Sequence, residues 1–292
     1  MNAWLAATRP KTLPASAVPV LIALAYAYRN SGAEPPYSTP VALLTLFCAV
    51  GLQILANFTN ELGDYKRGAD TPDRTGPQRA VSSGIISPQA MKRSSLLLAA
   101  VVFCAGMLIV AHAGWVIFAI GCASLFFAYA YTSGPYPLAY RGLGDVFALL
   151  FFGIIPVCGA YYAQMQEFRA DVLISSLIPG FFAANILGVN NIRDRETDAR
   201  VGKMTLAVRL GRPRAETLFG ILLCCSYVVA AGLAATSQSW FMLLPLLTLP
   251  LALRLWNSLR RSSGAELNAV LAGTGKLLVV FGVLLCIGIL FR

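Results

Sequence analysis

The chain has 292 residues, 57% of them hydrophobic and 12% charged, with a formal net charge of +10 and a mean hydropathy of +0.68. Soluble domains carry about 25% charged residues, so this composition excludes an ordinary soluble enzyme. A helix needs only ~20 apolar residues to cross ~30 Å of hydrocarbon, and charge-free stretches of that length recur along the whole chain.

In chain order, the first such stretch runs from Thr12 to Tyr28 and lacks a small-residue cleavage site, so it reads as a first span and not as a secretory leader. Further charge-free runs extend over Pro35 to Asn60, Ser94 to Tyr140, Val146 to Gln166, Val172 to Ile192 and Thr217 to Leu253, and a last run, Leu267 to Phe291, is broken only by Lys276. The two longest each hold a pair of helices, turning near His112-Ala113-Gly114 and near Thr236-Ser237-Gln238-Ser239. The expectation is an all-α polytopic membrane protein: nine spans in one bundle, with residues 1–292 forming a single domain.

All seven cysteines lie within apolar stretches, without a C-x-x-C pair, and read as packing residues. With His112 the only histidine, a His-based zinc or haem site has no material to form from.

The basic residues set the topology. An amino terminus in the cytoplasm leaves the carboxyl terminus in the periplasm. All but four of the 23 Lys and Arg then lie on the inner side; Arg29, Arg169 and Arg292 fall outside and Lys276 within the last span. That bias fits the positive-inside rule, so the positive charge speaks for a lipid bilayer and against nucleic acid.

Acidic residues contribute little to orientation and are costly near a membrane unless partnered. Seven of the 13 occur in two short segments: Glu61, Asp64, Asp70 and Asp73 after the second span, and Asp194, Glu196 and Asp198 after the sixth. A second helix continued past the membrane surface carries Asn57, Asn60 and Asp64 on one face, and a continued sixth helix carries Asn190, Asp194 and Asp198 likewise. The second and sixth spans are four apart in order, so both run outward to inward and both stripes emerge on the same, cytoplasmic, side.

Carboxylate and amide oxygens without His or Cys suit Mg²⁺, which takes one or two carboxylates and completes its shell with phosphate oxygens and water. The neighbouring Lys66, Arg67, Arg74, Arg79, Arg193, Lys203 and Arg209 suit a diphosphate. The segments admit two accounts: solvated loops whose opposite charges pair with each other, or a cytoplasmic-side polar cavity that binds a diphosphate through magnesium.

The strings that decide between them are Asn60-x-x-x-Asp64, the run from Asp70-Thr71-Pro72-Asp73-Arg74 through Arg79 to Gly84, and Asn190-Asn191-Ile192-Arg193-Asp194-Arg195-Glu196-Thr197-Asp198 followed by Gly202-Lys203 and Thr205 to Gly211. Tyr131 to Pro135 and Gly142-Leu143-Gly144-Asp145 add a further pair between the fourth and fifth spans. Across nearly the whole chain these resemble the UbiA superfamily of intramembrane aromatic prenyltransferases, and within it the 1,4-dihydroxy-2-naphthoate polyprenyltransferases of menaquinone synthesis. One position departs from the general superfamily pattern: Gly68 stands where a second Asp is expected four residues after Asp64, and the next carboxylate is Asp70. That wider spacing favours the naphthoate branch and leaves Asp70 open as a direct ligand.

The resemblance implies transfer of a polyprenyl group from its diphosphate to 1,4-dihydroxy-2-naphthoate, with release of diphosphate and CO₂ to give demethylmenaquinone. It also implies Mg²⁺ as cofactor, held by Asp64, Asp194 and Asp198 with Asn60, Asn190 and Asp70, and a diphosphate held by the basic residues above with the two asparagines. Aromatic faces stabilise an allylic carbocation, and Phe58, Tyr65, Tyr129, Tyr131 and Tyr136 are the candidates, with Tyr131 in a matched string. Asp145 opens the fifth span, either as a partner of the helix dipole or as a catalytic group beside the acceptor. Arg141 and Lys276 are candidates for the acceptor carboxylate; otherwise Arg141 is one more inner-side charge and Lys276 snorkels. The rival readings are a sister enzyme using 4-hydroxybenzoate or another acceptor, and an ion-coupled transporter.

Overall fold

The protein is described here from a computed structural model covering residues 3–32, 36–70, 76, 79–237 and 239–291. Among these residues there is no strand. A short α1 (Ala3–Ala7) and a 3-10 turn (Pro10–Thr12) lead into α2 (Pro14–Asn30). Then follow α3 (Thr39–Lys66), α4 (Pro88–Ala113), α5 (Trp115–Ala130), α6 (Gly144–Leu149), a π-helical turn (Leu150–Ile154) and α7 (Ile155–Met165). The second half comprises α8 (Ala170–Arg193), α9 (Arg195–Arg200), α10 (Leu206–Leu210), α11 (Arg212–Ser237), a 3-10 stretch (Trp240–Thr248), α12 (Leu249–Arg261) and α13 (Leu267–Leu290).

Seven helical segments are long and apolar enough to span a membrane, and the bent pair of Ala3–Thr12 with Pro14–Asn30 makes eight if it counts as one span. The remaining apolar helix, α5, has only 16 residues. The two helix turns expected within long charge-free runs occur where composition places them. Gly114, at φ 81°, joins α4 to α5, and α11 ends at Ser237 before the next helical segment starts at Trp240.

Local chemistry fixes the helix starts near the site. The Ser87 hydroxyl accepts from the Ala90 N–H ahead of α4, and the Thr205 hydroxyl accepts from the Val208 N–H ahead of α10, supplying acceptors to otherwise orphaned first-turn donors. The 28 residues of α3 make a rod about 42 Å long, longer than the ~30 Å hydrocarbon layer, so its last turns carry Asn60 and Asp64 beyond the apolar zone.

The main core is built by α2, α8, α11 and α13, where Phe182, Phe281 and Tyr227 pack ring to ring with centroids 5.2 Å apart. Without a hydrophobic force between helices in lipid, close backbone approach supplies much of the packing. Gly153, in the π turn, meets Gly180 of α8 so closely that an added Cβ would lie 2.7 Å from the Gly180 Cα. By contrast α5 has no buried residue, and one of its sides faces an internal chamber.

At the end of the bundle away from Asp64, Ser38 and Gln164 exchange two hydrogen bonds of 2.9 Å, and the Tyr161 hydroxyl donates to Glu167 at 3.0 Å. Near the other end, the Asn57 amide donates to the Thr8 carbonyl at 2.9 Å and fastens the chain before α2 onto α3.

Candidate active site

The C-terminal ends of α3 and α8 lie at one end of the bundle, as the count of intervening spans requires. Two helical turns of different character present the acidic residues. On α3, Asn60 and Asp64 share a face of a continuous helix. On the other side helix α8 stops at Arg193 and α9 begins at Arg195, so Asn190, Asp194 and Asp198 do not sit on one unbroken helix. Backbone bonds from Asp194 N to Asn190 O (3.1 Å) and from Asp198 N to Asp194 O (2.8 Å) nevertheless keep the three stacked across the break.

Three of these carboxylates carry a cation. Arg79 Nη2 donates to Asp64 Oδ2 at 3.1 Å and Tyr140 Oη donates to Asp64 Oδ1 at 3.0 Å. Arg193 donates to both oxygens of Asp194, to Asn190 Oδ1 (2.7 Å) and to Asn268 Oδ1 (2.6 Å). Lys203 Nζ donates to Asp198 Oδ1 at 3.2 Å. Asp64, Arg79, Arg193, Asp194 and Asp198 are all buried. The Asn60 side-chain oxygen accepts from the Thr132 hydroxyl at 2.9 Å. Arg79 is fixed from behind: Glu61 accepts from the Val81 N–H at 2.9 Å, and Ala80 and Val81 pack with Phe58 and Met91. Asp70 lies 3.5 Å from Arg79 Nε, joined to the site through that arginine.

A polar cavity of ≈ 70 Å³ lies among these groups, lined by Arg9, Asn60, Asp64, Arg79, Tyr131, Asp145, Asn190 and Lys203 together with Asn191 and Thr205. Beside it is a larger chamber of ≈ 360 Å³, mostly apolar, that follows α3 from Asn60 to Thr45, a distance of about 22 Å. The two share Arg9, Asn60, Tyr131, Leu187 and Asn190, so the chamber's head is the polar cavity. Phe127, Phe147 and Phe151 form an aromatic wall in the chamber, with centroids 5.0 to 5.9 Å apart. Phe103 and Cys122 line the same chamber and are both exposed.

Burial raises the Asp198 carboxyl above its ordinary range against the pull of Lys203, and the charges of Asp194 and Asp64 raise it further. Burial also holds the Tyr131 phenol well above its usual value, followed by the charges of Asp145, Asp64 and Asp198. Tyr140 is shifted in the same direction by burial and by Asp64.

The donor set fits a hard cation with an anionic ligand. Asp198 Oδ2 is buried without a hydrogen-bond partner, and so are Arg79 Nε and Nη1. Buried polar atoms are normally paired, so these atoms of both signs, Arg79 on the cavity wall and Asp198 behind its lining residue Lys203, suit a bound polyanion and a bound cation. Among the described residues no three His, Cys, Asp or Glu side chains stand close enough to hold an ion by themselves.

Several predicted residues lie elsewhere. Lys66 and Arg67 are exposed, and Arg67 donates to Gly134 O at 2.8 Å. Arg141 is exposed over the Tyr136 ring at 4.6 Å. Arg209 is also exposed and clamps the loop by donating to Met204 O and Arg141 O. Lys276 lies on the outer face of α13, away from both cavities. Arg74 and Asp73 fall outside the described residues. Of the five aromatic candidates only Tyr131 lines a cavity. Phe58 packs on Trp4, while Tyr65, Tyr129 and Tyr136 are exposed.

Sequence reasoning counted Arg9 only as a topological charge and did not single out Tyr140 or Thr132. Arg9 adopts a left-handed backbone, φ 53° and ψ 66°, uncommon for a residue with a side chain. That geometry sits at the bend between α1 and α2, where the chain enters beneath the site. The Arg9-Pro10 dipeptide ahead of the first apolar run was the available signal.

Comparison with known proteins accords with this geometry. The chain is 32% identical over 302 residues to the 1,4-dihydroxy-2-naphthoate octaprenyltransferase of Haemophilus influenzae, covering 99% of this chain and 96% of that protein. It is 37% identical over 238 residues to the Escherichia coli protein of the same name, covering 79% and 75%. Among solved structures, a UbiA homolog from Archaeoglobus fulgidus bound to DMAPP and Mg²⁺ superposes with a TM-score of 0.68 at 15% identity, over 99% of both chains. A UbiA homolog from Aeropyrum pernix K1 gives 0.70 at 14% identity, over 93% of this chain and 96% of that one. The fold, the paired acidic helix ends and a match of residues 16–278 to the UbiA prenyltransferase family agree, and the chain belongs to that family.

Proposed function

We propose that the protein transfers a polyprenyl group from an allylic polyprenyl diphosphate to 1,4-dihydroxy-2-naphthoate, releasing diphosphate and CO₂, in menaquinone biosynthesis. The observation that carries this reading is the junction of two cavities: a small polar one lined by charged side chains of both signs, some of whose buried atoms have no hydrogen-bond partner, continuous with a long apolar chamber. A diphosphate with a polyprenyl tail has that same division. Relatives named for naphthoate octaprenyl transfer support the choice of acceptor.

The tail is accommodated by apolar burial, ~0.8 kcal/mol for each CH₂ removed from water. Exposed Phe103 and Cys122 at the chamber wall, beside the unburied α5, provide a side on which a tail longer than the chamber meets lipid. At the head, Arg79, Lys203 and Arg9 face the diphosphate. As the allylic C–O bond breaks, its electron pair leaves on the diphosphate oxygen, where cationic donors already in place lower the barrier. Asp64, Asp194 and Asp198, with Asn60 and Asn190, are the residues that would hold Mg²⁺, which when bound neutralises charge on the departing diphosphate. Tyr131, its phenol kept neutral, presents its ring where the two cavities meet, so that the carbocation has an aromatic face and little water. The acceptor ring carbon forms the new C–C bond, and loss of CO₂ returns an electron pair to the ring.

Residues 1–292 act as one domain in this reading, in the bacterial cytoplasmic membrane, with nine spans, a cytoplasmic amino terminus and the polar cavity on the inner side. Purified protein given naphthoate and, separately, 4-hydroxybenzoate with a ladder of prenyl diphosphates should yield prenylated product from naphthoate alone, and chelation of divalent metal should abolish it. Efficient prenylation of 4-hydroxybenzoate with none of the naphthoate overturns the acceptor; no prenylation of either, with metal present, overturns the enzyme.

A further inference from the structure

Four carboxylates lie at this end of the bundle, Asp64 and Asp145 on the polar cavity and Asp194 and Asp198 behind its lining, and three are matched with a cation: Asp64 with Arg79, Asp194 with Arg193 and Asp198 with Lys203. Asp145 is the exception. It lines the polar cavity, it takes part in none of these ion pairs, and its Oδ2 is buried without a hydrogen-bond partner.

Its surroundings are those of an aromatic guest. Tyr131, whose phenol feels the charge of Asp145, reaches over Gly144 so closely that a Cβ there would lie 2.9 Å from the hydroxyl. Leu187 of α8 closes the other side, its Cδ2 3.2 Å from the same point. A flat ring entering beside Tyr131 therefore meets a carboxylate oxygen without a hydrogen-bond partner, in the cavity that Arg9, Arg79 and Lys203 also line. Asp145 differs from the other three in having no cation paired with it among the ion pairs above.

We infer that Asp145 is the general base for the acceptor: its free oxygen takes the proton from a ring hydroxyl of the naphthoate as the ring carbon attacks the allylic cation. This rests on the reading given above. The O–H pair moves into the ring and the ring π pair forms the C–C bond at the carbon bearing the carboxylate. The C–COO⁻ bond then breaks to release CO₂, returning its pair to the ring, and the proton goes back from Asp145 to the ring oxygen. Prenyl diphosphate and hydroxynaphthoate become prenylated quinol, diphosphate and CO₂, with no other reactant.

The test uses the full chain in lipid nanodiscs as wild type, Asp145→Asn and Asp145→Glu. Binding of an unreactive prenyl thiolodiphosphate with Mg²⁺ is measured alongside turnover on a series of ring-fluorinated naphthoates of increasing hydroxyl acidity. General-base removal costs on the order of 100-fold or more, so Asp145→Asn should lose about that on the parent acceptor while binding the analogue within about twofold of wild type. Its rate should rise by about tenfold toward the acidic end of the series, where wild type changes by less than about threefold, and Asp145→Glu should restore part of the loss. An Asn variant within about threefold of wild type, or with the same deficit across the series, overturns the proposal, and so does about tenfold weaker analogue binding, which would make Asp145 part of the diphosphate machinery. A wild type inactive on every naphthoate overturns the functional reading itself, and this inference with it.

Discussion

Arg193 donates to both carboxylate oxygens of Asp194, the next residue in the chain, at 2.8 and 2.6 Å. The same guanidinium reaches Asn190 and Asn268, so one side chain ties the end of α8 to the start of α13 while neutralising a buried acid. Breaking a buried pair by removing one partner costs ~3–5 kcal/mol because a charge is left uncompensated. Arg193→Gln should therefore lower the thermal midpoint measurably. Added Mg²⁺ should raise the midpoint of this variant more than that of wild type, since a cation at Asp194 replaces the lost charge. Equal shifts in the two proteins, read by thermal unfolding with and without the metal, would separate Asp194 from the metal.

Removing Asp64 has a different signature. As Asp64→Ala frees Arg79 as well as deleting an oxygen donor, both metal and diphosphate lose their settings. The expected loss of turnover is at least ~100-fold, as for Asp194→Ala, measured by product formation. Turnover near wild type in either variant refutes the ligand assignment.

Among the cations, position in the fold separates residues that composition treats alike. Arg9 lines both cavities, whereas Arg141 and Lys276 are exposed. Arg9→Gln should raise the KM for prenyl diphosphate by about tenfold or more, the worth of a lost charged hydrogen bond. Arg141→Gln and Lys276→Gln should stay within about twofold, as exposed charges do. Steady-state kinetics on the three variants decide the matter, and a large defect in Lys276→Gln alone would return that lysine to the acceptor site.

These cases show where the sequence was legible. Periodicity and parity brought Asn60, Asp64, Asn190, Asp194 and Asp198 to one end of the bundle because helical rise and span count are local quantities. The same arithmetic missed the break at Asp194, where α8 gives way to the short α9, after which the chain turns and seats Lys203 against Asp198. It also missed the π turn at Leu150–Ile154, within which Gly153 closely approaches Gly180. Lys276 was read as costly inside a span, yet it occupies the outward face of α13, where an amphipathic stem snorkels. Which face a helix turns inward depends on its neighbours, and a lone lysine carries no record of them.

Asn185 makes a stability prediction. It is 1% exposed in α8, lines neither cavity, and both its side-chain amide atoms lack a hydrogen-bond partner. A buried unsatisfied polar group costs ~1–3 kcal/mol, and an apolar group of similar shape removes that cost. Asn185→Leu should raise the thermal midpoint and leave turnover unchanged. A lower midpoint would mean that a bound water or a helix movement satisfies the amide.

Gly144 tests the acceptor pocket without touching a charge. A methyl group there would lie 2.9 Å from the Tyr131 hydroxyl and 3.2 Å from Leu187 Cδ2, so Gly144→Ala must push the phenol away from the head of the chamber. A displacement of this size at a reacting centre costs on the order of 100-fold, and the loss should fall on naphthoate turnover more than on donor binding. Gly188→Ala, where nothing lies within 4 Å of the added carbon, is the control; it should hold its activity and gain up to about 1 kcal/mol of helix propensity. Combining Gly144→Ala with Tyr131→Phe deletes the oxygen that clashes. If the tyrosine served only to fill space, the pair would recover the rate lost by Gly144→Ala, whereas a phenol that acts on the guest leaves the double variant as slow as Tyr131→Phe alone. Thermal midpoints measured in parallel should return toward wild type in the double variant, because relief of the contact restores packing whether or not chemistry returns.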